Sequence, residues 1–190
     1  MNTSRVWLFR GLVVVGIVLI LVSWFSVWWR ADILMWEDRY AQIRPYALET
    51  DPFIKGYMPG AKLPDWIPPF VWTFFGVIML CMVLGMFVKE KMLGISFFKF
   101  SLPTWLITGV GVAFIVCAVV MAVFASSEMA NVFPGMNLVG LQSLEIDPES
   151  HSFSNVDARF LPGYYLAYVA GLYNVVLGFL SNKIKGVKPT

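Results

Sequence analysis

Six side chains that could bind a metal ion or move a proton lie between residues 145 and 157. They are Glu145, Asp147, Glu149, His151, Asn155 and Asp157. Oxygen ligands at short intervals suit Ca²⁺, but the usual calcium loop needs a glycine in a tight turn, and this stretch has none. Zinc and copper sites use more than one His or Cys. We therefore predict a solvated acidic loop with no metal site.

A second polar group, Asn174, lies within an apolar run near the C-terminus. An amide at that position can hydrogen-bond a ligand or the backbone of a neighbouring helix. Polar side chains in membrane helices commonly serve the second purpose. We predict that Asn174 joins two helices.

Several kinds of chemistry are excluded by the residues themselves. The chain has one His, outside the apolar runs, so it cannot ligate a membrane haem through two histidines by itself. No Lys, Asp or Glu interrupts those runs to form a Schiff base or a proton relay. No phosphate-binding glycine loop, HExxH or nucleophile elbow occurs. We predict no catalytic residue and no cofactor, and that the protein is not an enzyme.

The apolar runs define the fold class. Of the 190 residues, 58% are hydrophobic and 14% are charged, whereas about 25% are charged in ordinary soluble domains. Each run is about 20 residues long, enough to cross the roughly 30 Å hydrocarbon core. We predict an all-α integral membrane protein, one membrane domain over residues 1–190, with transmembrane helices at 11–29, 70–88, 104–124 and 163–180.

Charge is distributed unevenly between the connecting segments. The two termini and the loop 89–103 together carry eight basic residues and one acid. The loops 30–69 and 125–162 carry six basic and eleven acidic residues. Basic segments remain in the cytoplasm, which predicts that both termini are cytoplasmic and that the membrane is the plasma membrane. Outer loops without cysteine or a glycosylation sequon favour a bacterial or archaeal source.

The two outer loops are predicted to be ordered but mostly irregular, because they are too rich in aromatic and aliphatic residues for disordered linkers. Apolar residues at 33, 36, 40 and 43 have helical spacing and predict an amphipathic helix along the membrane surface. Residues 137–146 predict a short strand or extended edge.

Small residues recur every four positions in the third and fourth runs. Such faces let helices approach closely in lipid, where van der Waals packing drives association. The face could pack inside this chain or against another subunit, and both readings stay open. The candidate packing residues are Gly163, Ala167, Gly171, Asn174 and Gly178, with Gly109 and Ala113 as their expected partners in the third run.

These patterns favour a non-catalytic integral membrane subunit that stabilises or assembles a larger membrane complex. Its expected partners are other integral membrane subunits and lipid in a hetero-oligomer, without nucleic acid. Two alternatives remain. One is the hydrophobic substrate- or quinone-facing subunit of a membrane enzyme. The other is a homo-oligomeric pore or small transporter lined by Ser23, Ser26, Thr108 and Asn174.

Overall fold

A computed structural model describes residues 3–34, 39–50, 65–87, 102–132, 137–147 and 152–185. The structure is mostly helical and also contains a five-stranded sheet. The helices are α1 (Thr3–Phe25), α2 (Ile67–Phe87), α3 (Leu102–Val132) and α4 (Pro162–Lys185). The strands are β1 (Trp29–Ile33), β2 (Tyr40–Arg44), β3 (Ala47–Thr50), β4 (Gly140–Asp147) and β5 (Ser152–Phe160).

All four helices are long and apolar enough to cross a membrane, which fits a multi-pass membrane protein. The prediction of an all-α fold is wrong, because the segments between the helices supply a sheet. The predicted inner loop 89–103 lies outside the described residues up to Ser101. Helix α3 continues to Val132, beyond the predicted end at Phe124, because no proline or glycine interrupts it there.

Helix α1 differs most from its predicted bounds of 11–29, since it begins at Thr3 and ends at Phe25. Its last carbonyls are taken by other groups. The Trp28 indole N–H donates to the Ser23 carbonyl at 2.8 Å, and Arg44 Nη1 donates to the Phe25 carbonyl at 2.6 Å. These bonds satisfy acceptors that a helix end leaves free. A cation at the helix C-terminus also interacts favourably with the helix dipole.

The chain forms two compact units. The first, which we call the bundle, comprises Met1–Val22, Trp72–Cys117 and Leu166–Thr190. The second, which we call the sheet unit, comprises Ser23–Val71 and Ala118–Tyr165. Every helix contributes residues to both units.

Within the bundle, each helix packs against two neighbours. Helix α1 contacts α4 through Gly16 and Asn174, and it contacts α2 through Gly16 and Met82. Helix α3 contacts α2 through Ile107 and Gly85. Together with the contacts of α3 and α4 described below, these pairs give an antiparallel four-helix arrangement. Its interior is filled by fully buried side chains of all four helices, among them Val13, Ile20, Met82, Ile107, Phe114 and Ala170.

The sheet unit is built from both connecting segments, with all strand pairs antiparallel in the order β3-β2-β1-β5-β4. Strands β1 and β5 pair from Trp29 opposite Phe160 to Ile33 opposite Val156. The amphipathic helix expected around residues 33–43 is therefore wrong, because Ile33 belongs to β1 and Tyr40 and Ile43 belong to β2. The strand expected within 137–146 is confirmed as β4.

One face of the sheet carries the core of the sheet unit. The buried members are Trp29, Ala31, Ile33, Ala41, Ile43, Val156 and Ala158, together with Ala125 of α3. Trp29 is 2% exposed, and its indole N–H donates to the Leu138 carbonyl at 2.7 Å. Burying a large side chain of this kind contributes about 1.5–3 kcal/mol. Because residues 29, 31 and 33 alternate with polar neighbours, a strand can bury them on one face.

Candidate interaction surfaces

Of the small residues on α4, Gly171 lies inside the chain's own bundle. A Cβ placed on Gly171 would overlap the side chain of Ile115 and lie 2.9 Å from the Gly111 carbonyl oxygen. A Cβ on Gly111 would in turn lie 2.5 Å from the Gly171 carbonyl oxygen. Real Cβ atoms do not approach backbone atoms this closely, so α3 and α4 meet where both lack a side chain. Close approach of this kind gives strong van der Waals contact.

The other predicted packing residues occupy several environments. Ala167 is fully buried. In the bundle, Gly178 faces Thr108 of α3, whose side chain a Cβ would overlap. In the sheet unit, Gly163 faces the backbone of Val27, whose carbonyl oxygen would lie 2.6 Å from a Cβ on this glycine. Gly109 is exposed, and a Cβ there would meet nothing within 4 Å.

Ala113 is half-buried. Helix α3 therefore meets α4 through Gly111, rather than through the face that the sequence suggested. A repeat of four along α3 does not by itself choose between the helix faces that carry small residues.

Asn174 is fully buried between α4 and α1. Its Nδ2 donates to the Ala170 carbonyl at 2.8 Å, and its Oδ1 is turned towards Gly16, where a Cβ would overlap it. Among the described residues Oδ1 accepts no conventional hydrogen bond. The Gly16 Cα–H is the weak donor that the contact offers. The next residue, Tyr173, donates from its hydroxyl to the Leu12 carbonyl of α1 at 2.9 Å.

The side chains considered as a pore lining are used in packing. Ser23 is fully buried and donates to the Gly163 carbonyl at 2.9 Å within the sheet unit. Thr108 Oγ1 is buried against Gly178 in the bundle. Ser26, half-buried, begins the turn after α1 by donating its N–H to the Ser23 carbonyl. In the parts of the chain that the structure describes, these groups form no continuous polar stripe along one helix.

The face of the sheet opposite its apolar core is charged, and we call it the polar sheet face. Arg30 lies directly opposite Arg159 across β1 and β5, and Asp32 lies opposite Asp157. Asp32 accepts from Arg30 at 2.6 Å and from Arg159 at 3.1 Å, while Arg159 lies 3.5 Å from Asp157. Like charges opposite each other would repel. The ion pairs within each strand offset this repulsion, and the diagonal ion pair between Arg159 and Asp32 joins the two connecting segments.

The same face continues across β2 and β3. Arg44 forms an ion pair with Glu49 at 3.0 Å, and Gln42 also hydrogen-bonds the Glu49 carboxylate. The Arg30 guanidinium lies over the Tyr40 ring, with its Cζ 4.5 Å from the ring centre. All the charges named on this face therefore have partners, which makes the face polar but close to neutral.

Two exposed leucines interrupt the polar sheet face. Leu141 of β4 lies opposite Asp157 and is 67% exposed. Leu34 follows β1, donates its N–H to the Asn155 carbonyl and is 57% exposed. The two side chains thus flank β5. Val139, just before β4, is 59% exposed. Strand β4 is at the end of the sheet, and its second edge pairs with no strand of the described residues.

The structure describes only some of the side chains in the acidic stretch at residues 145–157. Glu149 and His151 lie outside the described residues, and so do the side chains of Glu145 and Asp147. Asn155 and Asp157 are both in β5, and Asp157 faces Arg159. Over the ranges that are described, no group of three or more His, Cys, Asp or Glu side chains could hold a metal ion.

The polar sheet face was not predicted from the sequence, although a signal for it was present. Residues 29–33 and 156–160 alternate strictly between apolar and polar side chains. Alternation of this kind predicts a strand with one buried face.

No known protein family model matches the chain, and no curated protein sequence is significantly similar to it.

Proposed function

We propose that this chain is a non-catalytic integral membrane subunit that packs against a larger membrane protein complex and stabilises or assembles it. The observation that carries the proposal is the exposure of Leu34 and Leu141 on a charged sheet face. An open sheet with free edges does not occur in hydrocarbon, because its backbone groups would be unsatisfied. These leucines therefore face water or another protein rather than lipid, and contact with a partner would remove them from water.

The outer edge of β4, which pairs with no strand of the described residues, supports the same proposal. Natural sheets usually protect an edge strand with lysine, proline or a very short length. Strand β4 has eight residues and neither lysine nor proline, and its bulge lies at Glu145 and Asp147, away from Leu141. An extended segment of a partner could add to this edge through backbone hydrogen bonds, with Leu141 entering the contact.

We further propose that this partner complex lies in the plasma membrane of a bacterium or archaeon, with both termini of the chain in the cytoplasm. The support is the excess of basic residues in the termini and in the loop 89–103. A sheet with a polar face then belongs to the outer, aqueous side.

The assembly proposal can be tested by comparing two equally exposed leucines. Leu141 lies in the sheet and Leu172 lies in α4, where it is 60% exposed. After mild detergent extraction, native mass spectrometry should find other membrane chains bound to the wild type. Leu141→Ala should lower the association constant about tenfold, and with it the bound fraction, if the contact loses roughly 1.4 kcal/mol. Leu172→Ala, facing lipid, should leave that fraction unchanged.

Each other outcome points to a different conclusion. If Leu172→Ala alone lost the bound chains, the partner would contact the surface of α4 instead of the sheet. A wild-type chain that carries no other protein, in extracts where known complexes remain intact, would overturn the assembly proposal.

Orientation is tested separately with single cysteines in a background where Cys81 and Cys117 are replaced by Ala. Cysteine at Ser143, an exposed residue of β4, should react with an impermeant thiol reagent on intact cells. Cysteine at Lys188, in the C-terminal tail, should react only after the cells are opened. The reverse pattern would invert the proposed topology, and labelling of both sites on intact cells would contradict an even number of spans.

A further inference from the structure

Arg10 lies within the first membrane span rather than before it. The apolar part of α1 after Arg10 runs only from Gly11 to Phe25, where the helix ends. A helix needs about 20 residues to cross the hydrocarbon core. Counted back from Phe25, the span begins near Val6, so the Arg10 backbone lies about 6 Å inside its basic end. A charged side chain at such a depth is costly unless it reaches the interface and finds a partner.

The side chain of Arg10 is held in a position that allows it to reach the interface. Helical side chains point towards the N-terminus, which for α1 is its basic end. The Arg10 Cζ lies 5.3 Å from the centre of the Trp7 ring and 5.2 Å from the centre of the Phe87 ring at the end of α2. Both aromatic side chains are exposed, at 64% and 56%. Cation–π contacts hold the guanidinium by its faces and use none of its N–H donors.

No protein anion compensates this guanidinium in the described part of the chain. Arg10 forms no ion pair and no hydrogen bond there, and its Nε is buried without a partner. In this respect it differs from Arg30, Arg44 and Arg159 of the sheet unit, each of which faces a carboxylate. Among the described residues, therefore, no carboxylate faces this partly buried arginine, although a charge near the hydrocarbon is stabilised by an anion beside it.

We propose that Arg10, in cation–π contact with Trp7 and Phe87, binds the phosphate of an acidic phospholipid. A planar guanidinium can donate two parallel hydrogen bonds to a phosphate. The exposed Trp7 and Phe87 rings offer apolar surface to the acyl chains of the same lipid, and an acidic headgroup supplies the missing negative charge. Lipid binding at Arg10 depends on membrane insertion of α1 and is independent of the proposed protein partner.

The test uses purified protein, delipidated and then mixed with equal amounts of phosphatidylglycerol and phosphatidylcholine of the same acyl chains. Native mass spectrometry counts the lipids that remain bound. The wild type should retain phosphatidylglycerol preferentially, and Arg10→Gln should lower this preference about tenfold, the effect of one charge-assisted hydrogen-bonding group. Arg5→Gln is the matched control, because Arg5 is exposed in the same helix and should leave the preference unchanged.

Two further measurements test the contribution of the ring and distinguish a lipid site from a general anion site. Phe87→Leu keeps the charge and removes one ring, so it should lower the preference less than Arg10→Gln, and it provides a readout if Arg10→Gln fails to fold. Inorganic phosphate in excess should not displace the lipid, because it lacks acyl chains. Displacement by inorganic phosphate would show a general anion site instead.

Unchanged phosphatidylglycerol retention in Arg10→Gln and Phe87→Leu would overturn the proposal. So would loss of a co-purifying chain from Arg10→Gln with lipid retention intact, since Arg10 would then pair with a carboxylate of that chain.

Discussion

The bundle and the sheet unit are stabilised in different ways. In the bundle, α3 and α4 approach through Gly111 and Gly171, and the polar contacts are single hydrogen bonds such as the one between Thr104 Oγ1 and Ser181 Oγ at 2.6 Å. The sheet unit instead buries Trp29 in an apolar core and covers the opposite face with ion pairs around Asp32.

The proposed surroundings of each unit, lipid for the bundle and water for the sheet unit, would account for the difference. Apolar side chains gain little by leaving lipid, so a membrane bundle depends on close packing. A sheet in water gains from removing apolar surface, so its stability depends on large buried side chains. The same chain should therefore respond to cavity formation most strongly in the sheet unit and to added volume most strongly in the bundle.

The largest effect is expected from a cavity in the sheet unit. Trp29→Ala should cost about 3–5 kcal/mol, because the indole is buried and the strands around it cannot close the space. Hydrogen exchange should show lost protection in β1 and β5. Trp66→Ala, at a residue that is 63% exposed in the sheet unit, is the control and should change little. Retained protection in β1 would show that Trp29 does not organise the core.

The second-largest loss of stability is expected from a larger side chain in the bundle. Gly171→Leu should destabilise the protein by about 1–3 kcal/mol or more, because the new side chain meets the Gly111 backbone and Ile115. Thermal unfolding in detergent measures the loss, and less folded protein should be recovered. Val176→Leu adds one methylene at a residue that is 48% exposed in the same helix and should unfold as the wild type does. Equal stability of the two variants would contradict the α3–α4 packing.

A smaller effect is expected from the polar sheet face. Asp32→Asn should cost about 1 kcal/mol, since it leaves Arg30 opposite Arg159 with one carboxylate fewer, and partly exposed ion pairs are weak. The loss should shrink at high salt, where exposed charges are screened. Asp65→Asn, at an exposed carboxylate, is the control. A variant as stable as the wild type at low salt would mean that these ion pairs do not stabilise the sheet.

The smallest effect should come from a hydrogen bond in the bundle. Ser181→Ala removes a buried hydroxyl that faces Thr104 and should cost about 0.6 kcal/mol, the average for such bonds in membrane bundles. Combining it with Thr104→Ala in a double-mutant cycle isolates the pair. If the coupling free energy between Ser181 and Thr104 exceeded that between Asp32 and Arg159, polar contacts would stabilise the bundle more than the sheet unit, and the comparison between the two units would be reversed.

Much of the fold could be predicted from local patterns. Runs of about 20 apolar residues locate all four helices, because the bilayer thickness sets their length. Two members of the small-residue repeat of α4, Gly171 and Asn174, are both buried. The alternation in residues 29–33 and 156–160 also predicts strands, whereas the apolar spacing at 33, 36, 40 and 43 predicts a helix in the first of these loops.

Other features depend on residues that are distant in sequence. Trp28 and Trp29 resemble the end of a membrane span, yet both are 2% exposed, because α1 ends at Phe25. That helix end is fixed by Arg44, a residue of β2 that binds the Phe25 carbonyl.

The sequence by itself determined the number and approximate positions of the helices that are long and apolar enough to cross a membrane, and the small residues of α4, because these depend on local composition and periodicity. The tertiary structure decided that β1 pairs with β5, that Gly111 rather than Gly109 meets Gly171, and that Arg10 lies between Trp7 and Phe87. Each of these depends on which distant segments meet, and periodicity along one segment carries no information about its partner.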